Sequence, residues 1–198
     1  MKKTSYTKSI ISLLSILFAT LLSGCDNSQP KPRGYFRIDL KEKTYNNVYN
    51  DAKYPFTFTL PDSICRVAYK DENAKEKDGL NIVYPKLRAC IYCDYKPVKD
   101  NFREISEDLR GFVYKHTAKA DAITEQPYEN PEAKVWGLLY ELKGNSASQV
   151  QFVLTDSIHH YFRGALYFNV TPNPDSLAPV VDYINEDIIK LMESFRWK

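Results

Sequence analysis

An α+β fold built on an antiparallel sheet is predicted from three features of this 198-residue sequence. Short segments alternate apolar and polar residues and follow one another in runs. Two longer segments repeat their apolar residues every three and four positions. The resulting order is strands, helix, strands, helix, with no single strand alternating regularly with a helix. Strands in runs favour hairpin-type antiparallel pairing, and two amphipathic helices need the apolar face that such a sheet offers.

The elements follow in chain order. "GYFRIDL" (34–40) is a candidate edge strand, and "KEKTYNNVYND" (41–51) is polar and turn-rich. "YPFTFTL" alternates Phe56, Phe58 and Leu60 with threonines and stops at Pro61, the pattern of a half-buried strand. "SICRVAY" (63–69), "LNIVYP" (80–85) and "RACIYCDY" (88–95) complete a four-strand meander around the solvated turn "DENAKEKDG". Phe102, Ile105, Leu109, Phe112, Val113 and His116 share one helical face, with Asn101 and Glu104 in capping-box spacing. "AKADAITEQPYENPEAK" (118–134) reads as a loop with a short strand. Three strands follow in "VWGLLYEL", "VQFVLTD" and "YFRGALYFNV", with turns at Gly144-Asn145 and Ser157. In the last helix Asp175 or Ser176 is the cap and Pro179 falls in the first turn, where proline is tolerated. Leu177, Val181, Ile184, Ile188 and Leu191 form its apolar face, and "SFRW" is a closing strand. The order is similar to a Mog1/PsbP-type sandwich, a fold-level likeness that says little about function.

The N-terminus sets the compartment. Lys2, Lys3 and Lys8 precede the run Ile10–Leu22, which is shorter than the roughly 20 apolar residues of a membrane span and fits the h-region of a secretory signal. It ends in Leu22-Ser23-Gly24-Cys25, which resembles the lipobox of bacterial lipoproteins, where the cysteine is acylated and becomes the first mature residue. Two or more acyl chains anchor stably where one is marginal. Residues 1–24 are thus expected to be removed, 25–53 to form a lipidated tether and irregular lead-in, and 54–198 to form one domain. Loss of three lysines turns the formal charge from +2 to −1, so no nucleic-acid partner is implied. Asp26 after the cysteine resembles an inner-membrane retention signal of enteric bacteria, which favours the inner over the outer membrane.

Catalytic signatures are sparse. Cys90 and Cys93 lie in an alternating strand, where side chains three apart point to opposite faces, so a thioredoxin-like pair and a zinc site with Cys65 are both disfavoured. A periplasmic address permits a disulfide between Cys65 and either of them. Gly144-x-Ser146 lacks the second glycine and the strand-to-helix turn of a nucleophile elbow. His116 or His159 with Asp156 and Ser157 has the residue types of a hydrolase, but Thr155-Asp156-Ser157 is more simply an Asx-type turn. "YKHTAKADAI" places His116, Lys119 and Asp121 together, either as helix-end charge or as an interaction surface on a loop. No HExxH, P-loop, GxGxxG or EF-hand spacing is present, so no cofactor is implied.

The lipobox followed by "PKPRGY", then "YPKLRACIY", "KHTAKADAI", "VWGLLYEL", "QFVLTDS", "FRGALYF", "PNPDSL" and the terminal "RWK" resemble, in order, the gliding-motility lipoprotein GldD family of Bacteroidetes-type bacteria. The resemblance implies a lipid-anchored, periplasm-facing accessory protein of the gliding and type 9 secretion machinery. It would be held to the membrane by acyl chains (palmitate among them) on Cys25 and would act on other machinery proteins without catalysis. A lipid-anchored envelope enzyme or glycan-binding module is the alternative. The family offers no active site to transfer; His116, Lys119, Asp121, Thr155, Asp156 and Ser157 are matched positions and candidate interaction residues.

Overall fold

The computed structural model of the protein describes residues 39–69, 79–116, 120–170 and 174–198. Among these residues five strands come first: β1 (Asn47–Asn50), β2 (Phe56–Leu60), β3 (Arg66–Tyr69), β4 (Gly79–Tyr84) and β5 (Ala89–Pro97). Helix α1 (Phe102–His116) is followed by β6 (Ala120–Asn130), β7 (Val135–Gly144), β8 (Val150–Thr155) and β9 (His160–Phe168). Helix α2 (Pro174–Ser194) and the short β10 (Arg196–Trp197) end the chain. Every strand pair is antiparallel, so the fold is α+β as expected.

The strands form two sheets. The larger has the order β3-β4-β5-β9-β8-β7-β6, two meanders joined where β5 pairs β9 from Ala89↔Phe168 to Pro97↔His160. The smaller has the order β1-β2-β10. The expected four-strand meander therefore loses its first member. The reason is the inner face of β2: Phe56, Phe58 and Leu60 are all buried, and the Phe56 ring lies 4.7 Å from Phe162 of β9 and 5.4 Å from Phe195. Those rings are covered completely only when β2 lies over the large sheet as a second layer, and large aromatic burial dominates such choices.

Both faces of the large sheet are used. On one face Leu80, Ile82, Ile91, Cys93, Phe152, Leu154 and Leu166 pack against β2 and against Ile184, Ile188 and Leu191 of α2. On the other, Tyr140, Leu142, Val153 and Tyr161 meet Ile105 and Phe102 of α1. Strand β8 is buried at every position for this reason.

Several local expectations need correction. The segment 118–134 holds an eleven-residue strand, β6, not a loop. As the outer strand of the sheet it exposes alternate N–H groups to solvent, and there a proline such as Pro127 is tolerated. The turn-rich 41–51 contains β1, because Tyr49 buries its ring against Phe58 at 4.8 Å while its neighbours stay exposed. The edge strand expected at 34–40 lies almost wholly outside the described residues. Asn101 does not show the expected box: its Oδ1 accepts the Lys99 N–H at 2.9 Å. Helix α2 starts at Pro174, whose fixed φ suits a first turn, so Pro179 falls inside the helix. The C-terminal strand is as expected, with Trp197 opposite Phe56.

Candidate functional site

Helix α2 carries one acidic residue on its apolar stripe. Asp187 follows Ile184 and precedes Ile188, and only 1 % of it is exposed. A buried carboxylate needs donors, and three converge on it. Lys43 Nζ lies 2.9 Å from Oδ1, the Tyr45 hydroxyl donates to Oδ1 at 2.6 Å, and the Tyr84 hydroxyl donates to Oδ2 at 3.1 Å. Lys43 also donates to the Tyr183 carbonyl, pairs with Glu186 at 3.0 Å, and stands 3.7 Å from the Tyr183 ring centroid. This ammonium is 7 % exposed, so both charges are held largely out of water. Cys65 joins the cluster beside the Tyr84 hydroxyl; burial first and the Asp187 charge second push its thiol up to about 12, which makes it unreactive.

The cluster ties the chain's lead-in to its last helix. Lys43 and Tyr45 precede β1, and Asp187 lies more than 140 residues later. Asp62 reinforces the lead-in by accepting from Thr44 at 2.8 Å and from the Asn46 side chain at 2.9 Å. Sequence reading missed this site because its members are scattered from position 43 to 187. The one available signal was an aspartate interrupting the apolar stripe of α2.

The residues singled out by sequence distribute differently. Cys25 and Lys119 lie outside the described residues, and so does the His116 side chain. Asp121 is the bulged residue between Ala120 and Ala122 in β6, opposite Gly144. Gly144 has φ +97°, and a Cβ built there would stand 2.5 Å from Asp121 Oδ2, so the close approach needs glycine. Thr155, Asp156 and Ser157 form the Asx-type turn. Asp156 Oδ1 accepts the N–H groups of Ile158, His159 and His160 at 3.0, 2.8 and 2.8 Å, and Thr155 Oγ1 accepts that of Ser157 at 2.8 Å. His159 Nδ1 is 3.5 Å from Asp156 Oδ2, but its imidazole is mostly exposed and the carboxylate is committed to the turn.

The three described cysteines are free, so the disulfide considered for Cys65 is not formed. Strand β4 lies between β3 and β5 and keeps Cys65 away from the other two. Cys93 is buried in the α2-side core, while Cys90 lines a groove on the opposite face with Tyr92 and Tyr167. That groove, about 840 Å³, carries the Tyr92–Tyr167 edge-on pair at 5.6 Å and Arg88 at its rim.

His160 belongs to an aromatic end-cluster. It stacks on Trp197 at 4.9 Å, and its Nδ1 is 2.9 Å from the Tyr95 hydroxyl. Burial lowers its pKa, outweighing the opposing pull of Asp156. The folded state therefore binds fewer protons than the unfolded chain near pH 6.5, so stability is present above that value and is lost as pH falls below it. Urea midpoints should fall between pH 7.5 and 5.5 in the wild type by more than in His160→Gln; equal falls would refute the assignment.

The family described as gliding motility lipoprotein GldD matches residues 25–197, nearly all of the chain and all of the fold above. The chain belongs to this GldD family. A comparison with curated proteins gives no match. The matched span begins at Cys25, so the lipobox cysteine, the tether and the Lys43–Asp187 cluster all fall within it. As a member of a lipoprotein family the GldD chain is held at a membrane by lipid. No helix among the described residues is long and apolar enough to cross one. The buried cluster thus joins the first described residues of the GldD chain to its last helix.

Proposed function

We propose that this chain is an accessory component of the gliding and type 9 secretion machinery that acts by holding a non-catalytic docking domain at the membrane. Cys25 carries the acyl chains, palmitate among them, and the domain faces the periplasm, with Asp26 favouring the inner membrane. The observation that carries this reading is the Lys43–Tyr45–Asp187 cluster. A tether that ended in a loose lead-in would let the domain swivel freely. Here the segment after the tether is fixed to α2 by a buried ion pair and a short hydroxyl bond, so a pull on the lipid end reaches the core. Such a junction suits a part that transmits position or load between a membrane and protein partners.

The enzyme alternative has little support from the Asp156 turn, whose oxygens serve backbone N–H groups. The glycan-binding alternative has one observation in its favour, the Tyr92–Tyr167 groove, since aromatic faces stack on sugar rings.

Replacing Cys25 by alanine tests the reading. The protein is expected to leave the membrane fraction, and gliding or type 9 secretion is expected to fail with it. Normal motility and secretion in a strain whose protein has lost its membrane association would overturn the proposal.

A further inference from the structure

The face of the large sheet turned away from β2 is covered only in part. Helix α1 packs on Tyr140, Leu142, Val153 and Tyr161, toward the β7–β8–β9 end. Toward β4 and β5 the same face bears the open groove of about 840 Å³. Register fixes what stands in it. Arg66 is opposite Val83, Val83 is opposite Cys90, and Cys90 is opposite Tyr167. Cross-strand partners share a face, so this row points to the side where Val83, Cys90 and Tyr167 line the groove. Tyr92 stands one row along, diagonal to Tyr167, and the two rings meet edge-on at 5.6 Å. Tyr92 keeps 47 % of its surface exposed, so its ring is open to a ligand. Arg88 and Asn169 line the groove as well, and both are exposed. The Arg88 carbonyl accepts the Asn169 N–H at 2.8 Å, which holds the backbone beneath both side chains. Among the described residues the lining contains this cation and no carboxylate, and Arg66 at the β3 end of the row has the same sign.

We propose that this groove binds an acidic carbohydrate, a chain of pyranose rings that carry carboxylates. A pyranose has an apolar C–H face and a rim of hydroxyls. The Tyr92 ring offers a rigid apolar surface for the first, and the Asn169 amide, which both donates and accepts, suits the second. The Arg88 guanidinium matches a ring carboxylate with two parallel N–H bonds. Charge selects the acidic sugar over a neutral or cationic one, since the lining sets Arg88 against no acid. Backbone geometry disfavours an extended peptide. Strands β4, β5 and β9 each have a neighbour on both sides, so the floor of the groove has no open edge on which a further strand pairs. The ligand is therefore read by side chains, and all of those invoked for it have accessible surface.

The acidic preference rests on the glycan-binding alternative given above and is independent of the docking reading. The test is calorimetric titration of the full lipidated chain in micelles with three ligands of equal length. These are tetragalacturonate, the neutral cellotetraose, and a tetraglutamate peptide that has the charges without the rings. Tetragalacturonate is expected to bind saturably, about tenfold tighter than cellotetraose, and to weaken as salt is raised. Arg88→Gln should weaken tetragalacturonate about tenfold, the effect of losing one charge-assisted bond, and leave cellotetraose unchanged. Tyr92→Ala should weaken both sugars about tenfold, and its exposed ring makes the variant tolerable to folding. The exposed Tyr114 of α1 is the control, and Tyr114→Ala should leave binding as it is. Cellotetraose binding as tightly as tetragalacturonate would overturn the acidic specificity and keep the glycan reading. Binding of neither sugar, or of tetraglutamate as tightly as tetragalacturonate, would overturn both. Unchanged binding in Tyr92→Ala would overturn the placement of the site in this groove.

Discussion

Asp187→Ala is expected to lower the stability of the chain by about 3 kcal/mol, the lower end of the range for breaking a buried ion pair by removing one partner. The loss arises less from the missing attraction than from what remains. Lys43 keeps a largely buried ammonium, and the Tyr45 and Tyr84 hydroxyls lose their acceptor. Two features hold the figure at the lower end: Glu186 and the Tyr183 carbonyl still accept from Lys43. The double replacement Lys43→Met with Asp187→Leu should recover most of the loss, because apolar groups of similar size can substitute for a buried pair. Urea unfolding of the single and double variants checks both statements. A single-variant loss under about 1 kcal/mol would mean that the cluster is no more than a surface ion pair.

Phe56→Ala is expected to cost about 3–5 kcal/mol, as for other aromatic truncations in a closed core. The Phe56 ring is fully buried and lies within 4.7 to 6.3 Å of Tyr54, Phe58, Phe162, Phe195 and Trp197. Those neighbours come from both sheets and from the end of α2, so the vacated space cannot close without moving whole layers. The exposed Val48 on β1 is the control, and its replacement by alanine should change stability by less than about 0.5 kcal/mol. Thermal and urea unfolding of the pair should separate them clearly. Similar values for the two would show that β2 is not the bridge between the layers.

The parts of the fold readable in the sequence are those with a strong local period. Phe56, Phe58 and Leu60 alternate cleanly, and β2 stands where that pattern put it. Val181 to Leu191 repeat at helical spacing, and α2 buries Ile184, Ile188 and Leu191 in the core with Val181 packed beside them. The opposite facing of Cys90 and Cys93 also followed from the period of two. Strand β6 was hidden because an outer strand buries few side chains, so its sequence carries charges and a proline in place of alternation. Two groupings of polar residues were hidden for another reason. Lys43, Tyr45, Cys65, Tyr84 and Asp187 meet only after the lead-in is laid against α2, and Glu141, Gln149 and Asn185 meet only where α2 crosses the β7–β8 hairpin.

The sequence by itself determined the strand and helix runs and, through the ordered motifs from Cys25 to the end, the lipoprotein family. These are local or linear properties, written in hydrophobic period and residue order. Only the tertiary structure decided which strands share a sheet, which face each helix covers, and where buried charges and amides find or lack partners. Those outcomes depend on burying β2 over the large sheet and α2 beside it. Desolvation then leaves each enclosed polar atom to be matched by groups far away in the chain.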